Sequence, residues 1–173
     1  MHMASQLKIS IRPHCRVTAI DQDKQALMLT NGEEISYDQM VLALGADQVR
    51  LPLTGSGVKE ILSVNDLDDY KKFRDQLIDK KRISIIGAGL IGCEFANDLA
   101  AAGYQVDVID ISSQPLGRLL PPEGGEFLRK KLEATGVVFH LNTSTQSVEQ
   151  ENGSLRLIFA NGTSIESDLV LSA

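Results

Sequence analysis

Arg82-Ile83-Ser84-Ile85-Ile86-Gly87-Ala88-Gly89-Leu90-Ile91-Gly92 decides the fold of this chain. The first five residues are a short apolar, β-branched run, which reads as a buried parallel strand. A glycine loop follows, and then Cys93 to Ala102, which reads as a helix stopped by Gly103. Val106-Asp107-Val108-Ile109-Asp110 is a second strand ending in an acid. A bare GxGxxG is weak evidence. Strand, GxGxxG, helix, strand and acid, in that order and with the acid about 20 residues after the first glycine, form the dinucleotide-binding fingerprint.

The residue types follow from the chemistry. Gly87 allows the tight turn, Gly89 lets backbone approach a pyrophosphate, and Gly92 lets the helix pack close to the strand. The free N–H groups of the first turn, with Leu90 and Ile91 among them, then face the phosphates at the positive end of the helix. Asp110 can accept hydrogen bonds from the adenosine ribose. A 2′-phosphate would meet its negative charge, and Ile111-Ser112-Ser113 supplies no adjacent base, so NAD is favoured over NADP. Arg118 is the residue that would reverse this preference. The competing readings are a glycine turn with no ligand and, for Asp110, a plain strand-end acid.

Composition narrows the classes. The 173 residues suffice for one ordinary domain, or one domain and part of another. A net charge of −6 argues against nucleic-acid binding. There is no apolar run of about 20 residues for a membrane span. No apolar signal core opens the chain, which makes the cytoplasm the expected compartment. Cys15 and Cys93 lie far apart and outside any CxxC, and His2, His14 and His140 lack ligand spacing, so neither a disulfide scaffold nor a metal site is expected.

Along the chain, Leu7 to Ile11 alternates apolar and polar residues and reads as a strand, broken by Pro13. Val17 to Asp21, Ala26 to Thr30 and Glu33 to Tyr37 read as three more, with Asn31-Gly32 as a hairpin turn. Asp38 to Gly45 reads as an apolar strand entering a glycine turn, and Arg50 to Gly57 as a linker. Asn65 is the expected cap of a helix with Leu67, Tyr70, Phe73 and Leu77 as its apolar stripe and Lys80-Lys81-Arg82 at its end. That basic cluster reads as a solvated helix end, with docking of an acidic partner as the alternative. Glu123 to Thr135 reads as an amphipathic helix using Phe127, Leu128 and Leu132. Val137 to Leu141 reads as the third parallel strand, with His140 a strand-edge residue. Strands around a turn at Asn161-Gly162 and an apolar run to Ala173 complete the chain.

The two ends of the chain repeat. Asn31-Gly32, Ile35, Asp38 and Ala43 match Asn161-Gly162, Ile165, Asp168 and Ala173 at an offset of 130. Ile9 and Ile11 match Val137 and Phe139 at 128, which puts a two-residue insertion in the hairpin between. Each copy reads as strand, three-stranded meander, strand. Only the second copy follows a glycine loop. The repeat therefore implies a piece of a longer chain, with a matching first loop roughly 40 residues or more before Met1.

Two nucleotide-binding units, the second inserted in the first, resemble the pyridine nucleotide-disulfide-reductase-like flavoproteins. Leu42-Ala43-Leu44-Gly45-Ala46, followed by Leu51-Pro52, is similar to that family's Ala-Thr-Gly segment, with Leu44 where threonine is common. Gly87 to Glu94 is similar to its NADH fingerprint. Within the family, Leu90 to Leu99 and Asn65 to Tyr70 resemble the bacterial rubredoxin reductases. The expected fold is α/β: a Rossmann-like NADH-binding domain of parallel sheet plus three-stranded β-meander over 59–173, and a partial FAD-binding domain over 1–58.

The resemblance implies FAD and NADH as cofactors. Val17, Ala43, Leu44 and Gly45 fall where the family touches flavin, and Glu94 lies near the nicotinamide as the candidate catalytic residue, a plain surface acid being the alternative. It implies hydride transfer from NADH to FAD and single-electron transfer to rubredoxin or a similar small iron protein, in a chain that can feed alkane hydroxylation. A ferredoxin reductase or NADH oxidase of the same family is the first alternative, and a non-catalytic NAD-binding module the second. With residues 1 to about 50 short of packing partners, disorder or self-association through that part is expected, and the 173-residue piece is expected to be inactive.

Overall fold

A computed structural model describes residues 2–173. The chain divides into two compact units, Met1–Gly45 and Ala46–Ala173. The first holds helix α1 (His2–Leu7) and strands β1 (Val17–Asp21), β2 (Ala26–Leu29) and β3 (Glu34–Ser36), an antiparallel meander in chain order. Asn31 and Gly32 make its second turn: Gly32 has φ +83° and the Asn31 side chain accepts the Glu33 N–H at 3.0 Å.

Two expected strands are absent from this unit. Leu7 ends α1, and Ile9 and Ile11 lie in irregular, exposed chain. Residues 38–45 are also irregular, with Val41 and Leu44 almost fully exposed. Apolar alternation makes a strand only where a neighbouring strand completes the hydrogen-bond ladder, and the unit offers none to either segment.

The second unit runs β4 (Leu62–Ser63), α2 (Leu67–Gln76), β5 (Arg82–Ile86), α3 (Leu90–Ala101), β6 (Gln105–Ile109), α4 (Pro122–Glu133), β7 (Val137–His140), β8 (Thr145–Glu151), β9 (Ser154–Phe159), β10 (Ser164–Ser167) and β11 (Leu169–Ser172). Five strands form a parallel sheet ordered β4-β11-β5-β6-β7. Strands β8 to β10 form a separate antiparallel meander. Both faces of the sheet are covered, as a parallel sheet requires. On one face Ile83, Ile85, Val106 and Val108 pack with Phe73 of α2, Ala96 of α3 and Leu132 of α4. On the other, Ile86, Ile109 and Val170 pack with Val148, Leu157 and Phe159 of the meander. No helix of the described residues is long and apolar enough to cross a membrane.

Details of the helices depart from expectation. Asp66 rather than Asn65 caps α2, accepting the N–H groups of Asp68 and Asp69 at 2.9 Å. Asn65 instead donates to the Ala46 carbonyl. Leu67 is exposed, so only Phe73 and Leu77 of the proposed stripe are buried. Phe127 of α4 is exposed beneath the Lys131 ammonium, 5.4 Å from its ring centre. Arg50 to Gly57 is not free linker. Thr54 bridges to Ser147, and the Gly57 N–H donates to the Val148 carbonyl at 2.8 Å.

Arg82 is not a solvated helix end. Its guanidinium bonds Asp168 at 2.8 Å and Glu166 at 2.9 Å, tying the start of β5 to the meander's return. Asp168 also accepts the N–H groups of Lys81 and Arg82 at 3.0 Å. Burial pushes the Asp168 carboxyl upward, but the Arg82 side chain and these two N–H groups outweigh it and hold the group down at about 2. Because the folded value lies below the unfolded one, the contribution is complete above about pH 4 and is lost as pH falls toward 2. Asp168→Ala is expected to lower urea-measured stability by about 3 kcal/mol at neutral pH and to flatten the acid limb of the stability profile. A loss under about 0.5 kcal/mol would show that this junction is dispensable.

Candidate dinucleotide site

Strand β5 is buried from Ile83 to Ile85 and ends at Gly87, where the chain turns with φ +116°. Two separate reasons demand glycine there. The left-handed backbone strains any side chain, and a Cβ would lie 2.5 Å from the Ala173 carbonyl oxygen. A Cβ on Gly92, one turn into α3, would collide with the Gly87 carbonyl oxygen. Gly89 differs: a Cβ there meets no atom within 4 Å. Its neighbourhood is open space rather than packed protein.

Gly89 caps α3 without a side-chain acceptor. The N–H groups of Gly89, Leu90, Ile91 and Gly92 have no acceptor among the described residues, and the first intrahelical bond is Cys93 N–H to the Gly89 carbonyl at 3.0 Å. Four free donors at the positive end of a twelve-residue helix, beside open space, fit a pyrophosphate. The strand order puts them at the point where the sheet reverses. The chain runs from β5 to β6 and β7 on one side and returns as β11 on the other. The order therefore reverses between β5 and β11, and ligands of such sheets bind in the crevice beyond the strand ends at that point.

Asp110 follows β6 and is half-buried. Its Oδ2 accepts the Ala88 N–H at 2.6 Å and its Oδ1 accepts the Ser112 N–H at 2.7 Å. Each oxygen keeps a second lone pair for a sugar hydroxyl. Cys93 is inert beside it: burial first, and the Asp110 charge second, push the thiol up to about 11.

The structure brings Gly87, Gly89, Leu90, Ile91, Gly92 and Asp110 together at one end of the sheet. Leu90 and Ile91 expose about half their surface around the open donors. Glu94 is exposed in the second turn of α3, and Arg118 is exposed in the loop after β6. Val17, Ala43, Leu44 and Gly45 belong to the first unit; Val17 opens β1, and Gly45 turns with φ +73°. Sequence patterns did not reveal Leu116, whose N–H donates to the Ala88 carbonyl at 2.8 Å, or Ala173, which packs on Gly87. Both contacts are made by backbone, which leaves no signature in residue type.

The family described as pyridine nucleotide-disulphide oxidoreductase matches residues 3–173. The chain belongs to that family. It is 44% identical over 178 residues to a protein named rubredoxin-NAD(+) reductase from Acinetobacter baylyi, covering 99% of this chain and 45% of the relative. It thus spans under half the length of that curated member. Among solved family structures, the ferredoxin reductase of the CYP199A2 system from Rhodopseudomonas palustris superposes with a TM-score of 0.87 at 26% identity, covering 99% of this chain and 43% of that one. The reductase of the covalent putidaredoxin reductase–putidaredoxin complex gives 0.84 at 27%, covering 99% and 42%.

The three glycines separate by their surroundings. Gly92→Ala is expected to cost about 2–3 kcal/mol through overpacking against the Gly87 carbonyl. Gly89→Ala, with open space and φ −72°, is expected to stay within about 0.5 kcal/mol of the parent. Chemical denaturation of the two variants checks the contrast; equal losses would contradict the geometry.

Proposed function

We propose that residues 46–173 bind NADH along the glycine loop, and that the whole protein is an FAD-dependent NADH:rubredoxin reductase. The observation that carries the first part is the fan of unpaired N–H groups from Gly89 to Gly92, opening on empty space at the sheet's reversal point. The second part is supported by the 44% identity to the Acinetobacter protein and by the Gly87–Glu94 fingerprint.

When bound, the cofactors supply the redox chemistry: hydride from NADH to FAD, then single electrons to two one-electron iron partners. The chain supplies position and charge. Gly89 to Gly92 bind the pyrophosphate, and Asp110 accepts from the adenosine ribose. Glu94, one turn further along α3, is the proposed partner of the nicotinamide end or of a neighbouring base. Val17 and the Ala43-Leu44-Gly45 backbone are the proposed flavin contacts of the first unit. A small iron protein is the proposed electron acceptor. A ferredoxin reductase remains the second reading, because two solved ferredoxin-type reductases share this fold at 26% and 27% identity.

The 173-residue chain is expected to bind NADH and to purify without stoichiometric flavin, since it carries one glycine loop and assigns that loop to NADH. Isothermal titration checks the first and the visible spectrum the second; a yellow preparation would overturn the assignment. NADPH should bind at least about tenfold more weakly, because its 2′-phosphate meets the Asp110 charge. Equal affinities would show that Arg118 overrides Asp110. Stopped-flow oxidation of the full-length protein by rubredoxin, ferredoxin and oxygen in turn separates the two reductase readings from an oxidase.

A further inference from the structure

The loop after β6 controls where the glycine-loop peptides point, an inference that rests on the NADH reading above. In a trans peptide the C=O and N–H groups point in opposite directions. The Ala88 carbonyl accepts the Leu116 N–H at 2.8 Å and is thereby turned toward the loop 111–121. The Gly89 N–H belongs to the same peptide unit. It must point away from that loop, and it has no acceptor among the described residues. The preceding peptide is held with opposite polarity, its Ala88 N–H directed inward to Asp110 at 2.6 Å.

Leu116, which makes this contact, adopts φ +53°, a left-handed conformation uncommon for a leucine. The surrounding loop enforces it. Pro115 is fully buried, Gln114 donates to the Leu120 carbonyl at 3.0 Å, and the Leu116 side chain packs on the core of the parallel sheet and its helices. Such conformations persist where neighbouring contacts over-determine them. We propose that Leu116 is a positioning residue: its backbone N–H fixes the Ala88–Gly89 peptide so that the Gly89 N–H is preset to receive a pyrophosphate oxygen.

Two variants of the full 173-residue chain divide backbone positioning from side-chain packing. Leu116→Gly keeps the N–H and suits φ +53°, but removes the side chain. Leu116→Val keeps an apolar side chain, but its β-branch opposes that φ. Positioning predicts that the NADH Kd, by titration calorimetry, rises about tenfold in Leu116→Val and stays within about threefold in Leu116→Gly. Thermal midpoints should instead fall more in Leu116→Gly. The reverse order of affinities overturns the proposal. If Leu116→Val does not fold, the α-hydroxy acid analogue of leucine at 116 replaces the N–H by an ester oxygen and leaves the side chain intact. About tenfold weaker binding of the ester supports the proposal, and undiminished binding overturns it while leaving the NADH reading standing. A parent chain that binds no NADH at millimolar concentration overturns both.

Discussion

The approach of α3 to the end of β5, at Gly92 and Gly87, is the contact on which the second unit depends. No side-chain atom fits between them, since a Cβ on Gly92 would collide with the Gly87 carbonyl oxygen. That approach seats Cys93, Ala96 and Leu99 on Ile83, Ile85 and Val108. It also aims the helix axis so that its unpaired N–H groups emerge beyond the strand end rather than into the core. Ala173 closes the other side of Gly87, its N–H donating to the Ile86 carbonyl at 3.0 Å. Core packing and the position of the free N–H groups here follow from one backbone contact.

The meander solves a second requirement. A parallel sheet must be covered on both faces, and β8 to β10 cover the face that the helices leave. The first unit repeats that meander in detail. Gly32 and Gly162 turn with φ +83° and +82°, and Asn31 and Asn161 cap their turns through the same 3.0 Å bond. Thr30 donates to the Arg16 carbonyl as Ala160 does to that of Ser144, both at 2.9 Å. Even the irregularity is shared: the register shifts between Val17 and Ala19 in β1 and between Thr145 and Ser147 in β8. The copies differ in what they cover. Val148 is fully buried, whereas its counterpart Ile20 is 39% exposed. Local sequence thus suffices to build the meander, and burial of its apolar face is a separate matter of what lies against it.

That distinction explains which features were legible in the sequence. The glycine loop, the acid at 110, the three strands β5 to β7 and both Asn-Gly turns rest on local patterns and appear where the patterns put them, and α3 does too except that it begins at Leu90, three residues before the expected Cys93. Leu7 to Ile11 and Asp38 to Gly45 carry strand patterns of equal strength without forming strands. Their matched segments in the second unit have neighbours to pair with; β11 lies between β4 and β5, whereas Val41, matched to Leu171, pairs with nothing. The cap of α2 fell one residue from expectation because Asn65 and Asp66 are both competent caps, and only Asn65's bond to Ala46 decides between them. Arg82 read as part of a basic helix end because its partners, Glu166 and Asp168, lie more than eighty residues away.

Asp110, the proposed ribose acceptor, is also a structural residue. As a ribose acceptor it needs only a carboxylate at the end of β6. In this structure both of its oxygens are also bonded to backbone, one to the glycine loop through Ala88 and one to the following loop through Ser112. Its own backbone joins β7, with its N–H donating to the His140 carbonyl at 3.0 Å and its carbonyl accepting from Thr143 at 3.2 Å. An apolar or basic residue there would leave both the Ala88 and the Ser112 N–H groups without this acceptor, and an amide would keep an oxygen for only one of them. On the proposed ribose contact, cofactor preference and loop order are coupled through the same carboxylate. On that contact, a route toward the phosphorylated cofactor in this chain replaces a structural hydrogen bond as well as removing a charge.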